Sequence, residues 1–207
     1  MGRDSDKSAT PSLRIGLFGG TFDPPHRGHI AVATDIADSL ELDHVLWIPA
    51  SHPPHKSLSD KAPFRLRLEM TRAVLATDSR FKIDQTEAED AQPSYTVETV
   101  QALKERYPED TLFLIIGTDQ FCQLNEWKNP EKLLGLVDLV VMDRYGQSGQ
   151  DCVPPIPGAD RACFVSVRKV DISSTEVRVA VKNGLSLNAL IPSAVEKIIV
   201  REGLYKS

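Results

Sequence analysis

A glycine-rich segment followed closely by two histidines is suited to binding phosphate. The stretch from Gly16 to His29 reads GLFGGTFDPPHRGH, and Gly19 and Gly20 leave bare backbone at the end of an apolar run. His26 and His29 are spaced i, i+3, which places them on one face of a helix. The start of such a helix offers N–H groups and a positive dipole end to an anion. Two imidazoles there can donate hydrogen bonds to phosphate oxygens or to a departing oxygen.

Other interpretations of the same segment remain open. The motif G-x-x-x-x-G-K-[ST] does not occur, and the glycine spacing does not fit G-x-G-x-x-G, which disfavours a hydride-transferring dehydrogenase. The glycines could form only a tight turn, and the histidines could serve only to cap a helix. Two close histidines can also ligate zinc, but no third ligand at motif spacing accompanies them, so we expect no metal bound by the protein.

A second helix start near the end of the chain has the same character. Ser173, Ser174 and Thr175 precede Glu176, a helix N-cap pattern with exposed hydroxyl and N–H groups. Arg178 lies one turn further on, where its guanidinium can reach a phosphate. An ordinary structural cap is the alternative.

Further candidates follow the second and fourth predicted strands. Asp119 comes shortly after the apolar run 112–116, where a carboxylate can accept hydrogen bonds from ribose hydroxyls. An N-cap role for Thr118 or Asp119 is the alternative. Trp127 offers a flat ring for stacking on a pyridine ring, or it is a core residue. Lys56 is either a further cation for a phosphate or a solvated surface lysine.

The elements around these residues alternate between apolar strands and amphipathic helices. In the helix that begins near Pro63, Phe64, Leu68 and Leu75 recur at helical spacing. Strands are predicted at 13–18, 44–48, 81–84, 112–116, 138–142 and 162–167, and other helices at 28–40, 94–107, 129–136, 174–182 and 192–202.

This alternation predicts an α/β fold with a doubly wound parallel sheet covered on both faces and a small C-terminal helical portion. The strand order 3-2-1-4-5 would bring the C-terminal ends of the first and fourth strands side by side. Ligands bind at such a switch point.

Composition limits the class of protein. The chain has 207 residues and a net charge of −5, which fits one domain, placed at 13–207 behind an unordered polar extension at 1–12. The mild acidity argues against a whole-surface nucleic-acid binder. No apolar run is long enough for a membrane span, and no signal peptide opens the chain.

The cysteines and one long loop add two further expectations. The three cysteines, an odd number without a C-x-x-C pair, argue against a disulfide scaffold or a cysteine zinc site and favour a reducing cytoplasm. The Gly/Pro-rich loop at 146–161 could cover the site or mediate subunit contact. Assembly into a homo-oligomer therefore stays open.

These residues carry a resemblance. GGTFDPPHRGH resembles the signature of the nucleotidyltransferase superfamily, in which H-x-G-H follows the first strand. More closely, the chain resembles the bacterial nicotinate-nucleotide adenylyltransferases, which make deamido-NAD from ATP. The other matching segments, in order and rough spacing over about 14–205, are IPASHPPHK at 48–56, Ser94-Tyr95-Thr96, Gly117-Thr118-Asp119, Trp127-Lys128, Arg144 and ISSTEVR at 172–178.

The resemblance implies transfer of AMP from ATP to nicotinate mononucleotide, with release of pyrophosphate and with Mg²⁺ carried by ATP. It implies catalytic roles for His26, His29 and Arg178. The implied ATP-binding residues are Gly19, Gly20, Thr21, Phe22, His26, His29, Gly117, Asp119, Ile172, Ser173, Thr175 and Arg178. The implied acceptor-binding residues are Lys56, Tyr95, Thr96, Asp119, Trp127, Lys128 and Arg144, with backbone amides of the Tyr95 and Trp127 segments recognising the nicotinate carboxylate.

The chemistry of such a reaction needs few activated side chains. A nucleotide phosphate, with a second pKa of about 6, is already a nucleophile at pH 7 and needs no general base. The reaction then depends on in-line positioning and on neutralisation of charge. Two alternatives are the same transfer to nicotinamide mononucleotide or phosphopantetheine, and a nucleotide-binding regulatory module without turnover. The intact histidines, Ser173, Thr175 and Arg178 argue against the second.

Overall fold

Six parallel strands form one sheet in the computed structural model, which describes residues 12–51, 61–88, 95–143 and 152–206. The strands are β1 (Arg14–Gly20), β2 (His44–Pro49), β3 (Phe81–Ile83), β4 (Thr111–Gly117), β5 (Asp138–Asp143) and β6 (Cys163–Ser166). Their order across the sheet is β3-β2-β1-β4-β5-β6, and every neighbouring pair is parallel.

Helices cover both faces of this sheet. They are α1 (Arg27–Ser39), α2 (Phe64–Leu75), α3 (Thr96–Arg106), α4 (Thr118–Cys122), α5 (Pro130–Leu134), α6 (Ser174–Lys182) and α7 (Ser193–Glu202). Successive strand residues face opposite sides, so the strands feed two separate apolar clusters. One cluster joins the sheet to α1, α2, α6 and α7, and the other joins it to α3, α4 and α5. The predicted doubly wound α/β fold is confirmed.

The predicted strand order is confirmed as well, with β6 added at the edge beside β5. The strands β1 and β4 pair from Arg14 with Thr111 to Leu17 with Leu114. Gly20 and Gly117, which end these two strands, therefore lie at the same edge of the sheet, where the order of the strands reverses. The helix predicted at 94–107 is present as α3, and its residues Val97, Val100 and Leu103 are buried.

The helix predicted from the spacing of Phe64, Leu68 and Leu75 is present as α2, but these residues are not its buried face. Phe64 and Leu68 are only partly buried, whereas Leu66, Met70 and Val74 are buried. The cause is that α2 packs against α7 as well as against the sheet, so apolar residues lie on two sides of the helix. A periodicity taken from one of these sides does not identify the side that faces the sheet.

The cysteines also depart from the expectation. Cys122 in α4 and Cys152 form a disulfide, and Cys163 is an exposed free thiol. One crosslink is not a disulfide scaffold, but it removes the support for a reducing compartment. The two cysteines are 30 positions apart in sequence and gave no local signal, because only the fold brings them together.

Several predicted features lie outside the described residues. They are the extension 1–12 except for Ser12, the part of the long loop at 146–151, and His52, His55, Lys56, Ser94 and Arg144. The described end of that loop contains a short 3-10 turn, Ala159–Arg161. Within the described ranges, no helix is long and apolar enough to cross a membrane.

Candidate active site

The end of β1 is a turn shaped by glycine. A Cβ atom on Gly20 would lie 2.8 Å from the ring of Phe22, so only glycine fits there without a shift of that ring. At Gly19 no described atom lies within 4 Å of the Cβ position, so its backbone borders open space. Phe22 has a φ of 48°, in the left-handed region, and its side chain is buried. The turn therefore leaves room for a ligand beside Gly19.

His26 and His29 cap the start of α1 reciprocally. The backbone N–H of His29 donates to Nδ1 of His26 over 3.3 Å, and the N–H of His26 donates to Nδ1 of His29 over 3.2 Å. The two rings stack with their centroids 3.6 Å apart. The helix-cap interpretation is thus confirmed. The same hydrogen bonds and the stacking fix the orientation of both rings.

These caps determine which nitrogen carries the hydrogen. A backbone N–H can only donate, so each Nδ1 must accept, and a neutral ring then carries its hydrogen on Nε2. Both imidazoles are therefore Nε2–H donors at a helix N-terminus. Imidazole N–H groups in this position can donate hydrogen bonds to phosphate oxygens.

Gly28, the glycine of H-x-G-H, permits the start of α1 and the segment before α6 to approach each other closely. A Cβ there would lie 3.0 Å from Nδ1 of His26 and 3.4 Å from the carbonyl oxygen of Ile172. Any larger residue would push the histidine ring or the segment before α6 away from α1. The glycine therefore joins the first candidate helix start to the second.

The start of α6 is confirmed as an N-cap. Ser173 accepts from the backbone of Glu176 and donates to its carboxylate, which also accepts from the Ser173 N–H. Ser174 donates to the carbonyl of Pro24 over 2.9 Å. Ser173 and Thr175 are exposed, and the capping box engages the hydroxyl of Ser173 and the N–H groups of Ser173 and Glu176.

Arg178 lies beside the turn that follows β1. Its Nη1 donates to the Asp23 carbonyl over 2.8 Å, and its Nη2 donates to Oγ1 of Thr175 over 3.2 Å. The side chain is one-third exposed. The guanidinium is thereby held against the loop between β1 and α1, which leads to His26.

The end of β4 forms the other side of the switch point. Gly117 is the N-cap of α4, and its N–H donates to the side chain of Gln120 over 3.1 Å. The alternative that Thr118 or Asp119 is the cap is wrong, since both lie inside the first turn. Asp119 is exposed. Its carboxylate stands near a helix N-terminus, which stabilises negative charge.

The remaining acceptor candidates lie around the start of α3. Tyr95 is its N-cap, Thr96 is its first residue, and no described side chain caps its N–H groups. Lys128 lies with Nζ 4.0 Å from the centroid of the Tyr95 ring and donates to Glu98 over 2.6 Å. Trp127 is partly buried against the apolar cluster that includes α3, α4 and α5. This partial burial is compatible with both the core and the stacking interpretations.

Three residues that the sequence did not single out stabilise the loop after β1: Asp23 within it, and Arg67 and Tyr205, which bond to it. Asp23 is buried and accepts from Tyr205 near the C-terminus and from the N–H of Ala62. Arg67 is buried and donates to four backbone carbonyls, those of Thr21, Ala50, Ser51 and Ala62. An arginine among the buried residues of α2 is the signal that could have revealed it.

Among the described residues no group of three or more His, Cys, Asp or Glu side chains is placed to hold a metal ion.

The buried guanidinium of Arg67 is affected by its surroundings in two ways. Burial lowers the pKa of Arg67, whereas the nearby Asp23 and Tyr205 raise it.

Sequence relatives align with this chain over nearly their whole length. Residues 17–180 match the cytidylyltransferase-like family. The chain is 37% identical over 194 residues to the nicotinate-nucleotide adenylyltransferase of Bacillus subtilis, covering 94% of this chain and 99% of that one. It is 40% identical over 195 residues to a Thermus thermophilus protein named probable nicotinate-nucleotide adenylyltransferase, covering 94% and 100%.

Solved structures share the fold. The nicotinic acid mononucleotide adenylyltransferase of Plasmodium falciparum, in complex with NaAD, superimposes with a TM-score of 0.74 and 21% sequence identity, covering 93% of this chain and 97% of that one. The same enzyme complexed with APC gives a TM-score of 0.72 with 20% identity and the same coverage.

Proposed function

The chain belongs to the cytidylyltransferase-like family and, within it, to the nicotinate-nucleotide adenylyltransferases, and from this premise we propose that it transfers AMP from ATP to nicotinate mononucleotide. The products are deamido-NAD and pyrophosphate. The observation that carries the proposal is the reciprocal cap of His26 and His29, which makes both rings Nε2–H donors at the switch point.

The reaction exchanges one phosphorus–oxygen bond for another. A phosphate oxygen of nicotinate mononucleotide attacks the α-phosphorus of ATP, and the bond from that phosphorus to the pyrophosphate oxygen breaks. The leaving pyrophosphate carries the negative charge that develops. Mg²⁺ enters with ATP as part of the substrate and neutralises phosphate charge.

The proposed ATP side lies between β1, α1 and α6. Gly19 and Gly20 allow the phosphates to approach the backbone, and the imidazole N–H groups stabilise charge on the reacting phosphate and on pyrophosphate. Arg178 binds the triphosphate through its guanidinium. The other members of this side act mainly through position: Thr21, Phe22, Gly117, Ile172, Ser173 and Thr175.

The ring of Phe22 has a supporting role in this proposal. It lies 5.2 Å from the His29 ring, edge to face, inside the apolar cluster. It therefore holds His29 in place and does not offer its side chain to ATP.

The proposed acceptor side lies around α3 and α4. Asp119 accepts hydrogen bonds from ribose hydroxyls. The start of α3 at Tyr95 and Thr96, whose N–H groups no described side chain caps, donates backbone N–H groups to the nicotinate carboxylate. Trp127 supplies a stacking surface, and Lys128 adds positive charge. Lys56 and Arg144 are assigned to this side from the family resemblance.

Two alternatives differ in a direct experiment. Pyrophosphate release from ATP and Mg²⁺ is measured with nicotinate mononucleotide, nicotinamide mononucleotide and phosphopantetheine in turn. The proposal predicts that release is fastest with nicotinate mononucleotide. A faster reaction with another acceptor would reassign the substrate, and silence with all three would support a nucleotide-binding module without turnover.

A further inference from the structure

Tyr205 reaches from the end of the chain into the loop that carries the signature. Its hydroxyl donates to Oδ1 of Asp23 over 2.6 Å, across 182 residues of sequence. Its own φ is 62°, in the left-handed region that a bulky residue rarely adopts. Such a backbone conformation persists where surrounding contacts hold it. The bond to Asp23 is one of these contacts, so the segment after α7 is attached to this loop.

The Asp23 carboxylate is buried, and its two oxygens are in different situations. Oδ1 accepts from both Tyr205 and the N–H of Ala62. Oδ2 is buried without a hydrogen-bond partner among the described residues. It lies 3.9 Å from Nη1 of Arg178, beyond hydrogen-bond distance. The bonds to Oδ1 thus coincide with a carboxylate that forms an ion pair with Arg178 at the outer limit of contact and makes no hydrogen bond to it.

Arg178 is meanwhile attached to neutral oxygens. Its two short hydrogen bonds go to the Asp23 carbonyl and to Thr175, not to a carboxylate. A guanidinium fully paired with a buried carboxylate would have to give up that pair before it could bind a phosphate. A guanidinium whose hydrogen bonds go to neutral acceptors can exchange these bonds for stronger, charge-assisted ones to a phosphate.

Asp23 also faces a second cation. Arg67 is buried nearby, and the negative charge of Asp23 opposes the effect of burial on the Arg67 pKa. The Tyr205 hydroxyl remains protonated, since burial and the hydrogen bond to Asp23 both raise its pKa. It is therefore a hydrogen-bond donor throughout the neutral pH range. Two arginines thus interact electrostatically with the carboxylate, and the Tyr205 hydroxyl helps to set its orientation.

We propose that Tyr205 is a positioning residue for adenylyl transfer: its hydroxyl holds the Asp23 carboxylate so that it forms an ion pair with Arg178 but no hydrogen bond, which leaves the guanidinium N–H groups able to turn to the phosphates of ATP. The inference rests on the proposed function, because Arg178 is assigned there to the triphosphate. It adds a residue outside every segment that resembles the family's motifs.

The test removes only the hydroxyl. Tyr205→Phe raises KM for MgATP about three- to tenfold, the effect expected from one hydrogen bond, while KM for nicotinate mononucleotide changes less than twofold. In an Arg178→Ala background the same substitution causes no further rise, because the group on which it acts is gone. Tyr107→Phe, a tyrosine at the end of α3, is the matched control and leaves both KM values unchanged.

Two outcomes overturn the inference. In the first, Tyr205→Phe lowers the melting temperature with an unchanged KM for MgATP, which shows a purely structural bond. In the second, it raises KM equally with and without Arg178. Calorimetric titration with MgATP separates this test from the proposed function: if the wild type shows no turnover, the same pattern is sought in the Kd for MgATP, and its absence refutes the inference.

Discussion

The two sides of the candidate site are built in different ways. On the ATP side, contacts join residues far apart in sequence: Arg178 and Ser174 bond to the loop at Asp23 and Pro24, and Tyr205 bonds to the same loop. On the acceptor side, the described contacts are helix starts and an exposed pair between Lys128 and Glu98. The proposed ATP side is therefore organised before substrate binds, whereas the proposed acceptor side relies mainly on backbone N–H groups.

This difference predicts which substitutions matter. A buried network of hydrogen bonds fixes geometry, and losing one member leaves other buried groups without partners. An exposed ion pair contributes at most about 1 kcal/mol. Side-chain substitutions should therefore have large effects on the ATP side and small effects on the acceptor side.

The largest effect is expected at the first helix start. His29→Ala removes an Nε2–H donor to the reacting phosphate, so kcat falls by a factor on the order of 10²–10³ while the fold stays intact. His44→Ala, at the opposite end of the sheet, is the control and keeps normal kcat. A His29 variant with normal kcat, or stoichiometric zinc in chelator-washed protein, would contradict the assignment.

The next effect is expected at Arg178. Arg178→Ala raises KM for MgATP by about tenfold or more, since a charge-assisted hydrogen bond is lost, and changes KM for the acceptor much less. Steady-state kinetics with each substrate varied in turn measure both values. Arg72→Ala, an exposed arginine on α2, is the control. Equal losses for both substrates would show that α6 does not face the triphosphate.

The smallest effect is expected at Lys128. Lys128→Ala raises KM for nicotinate mononucleotide about two- to fivefold and leaves KM for MgATP unchanged, because an exposed cation contributes little to binding. Lys132→Ala on α5 is the matched control. A loss of a hundredfold would show that recognition on the acceptor side depends on this side chain rather than on backbone donors.

Local patterns predicted what local forces determine. Apolar runs identified the strands, and the Ser173 to Glu176 pattern identified a helix cap correctly, because both depend on nearby residues. The strand order followed from the general rules for doubly wound α/β sheets. The bonds of Asp23 with Tyr205 and Arg178 were missed, since they join segments 182 and 155 residues apart. The disulfide and the buried stripe of α2 were missed for the same reason: both depend on how distant elements pack.

The choice of acceptor tests the account most directly. A nicotinate carboxylate only accepts hydrogen bonds, whereas the nicotinamide NH₂ must donate and would face the N–H groups of α3. Equal concentrations of the two mononucleotides compete in one reaction with ATP and Mg²⁺, and the ratio of deamido-NAD to NAD formed gives the ratio of kcat/KM. The account predicts at least about ten to one in favour of the acid. Equal amounts of the two products would contradict it and would indicate a pocket of dual specificity.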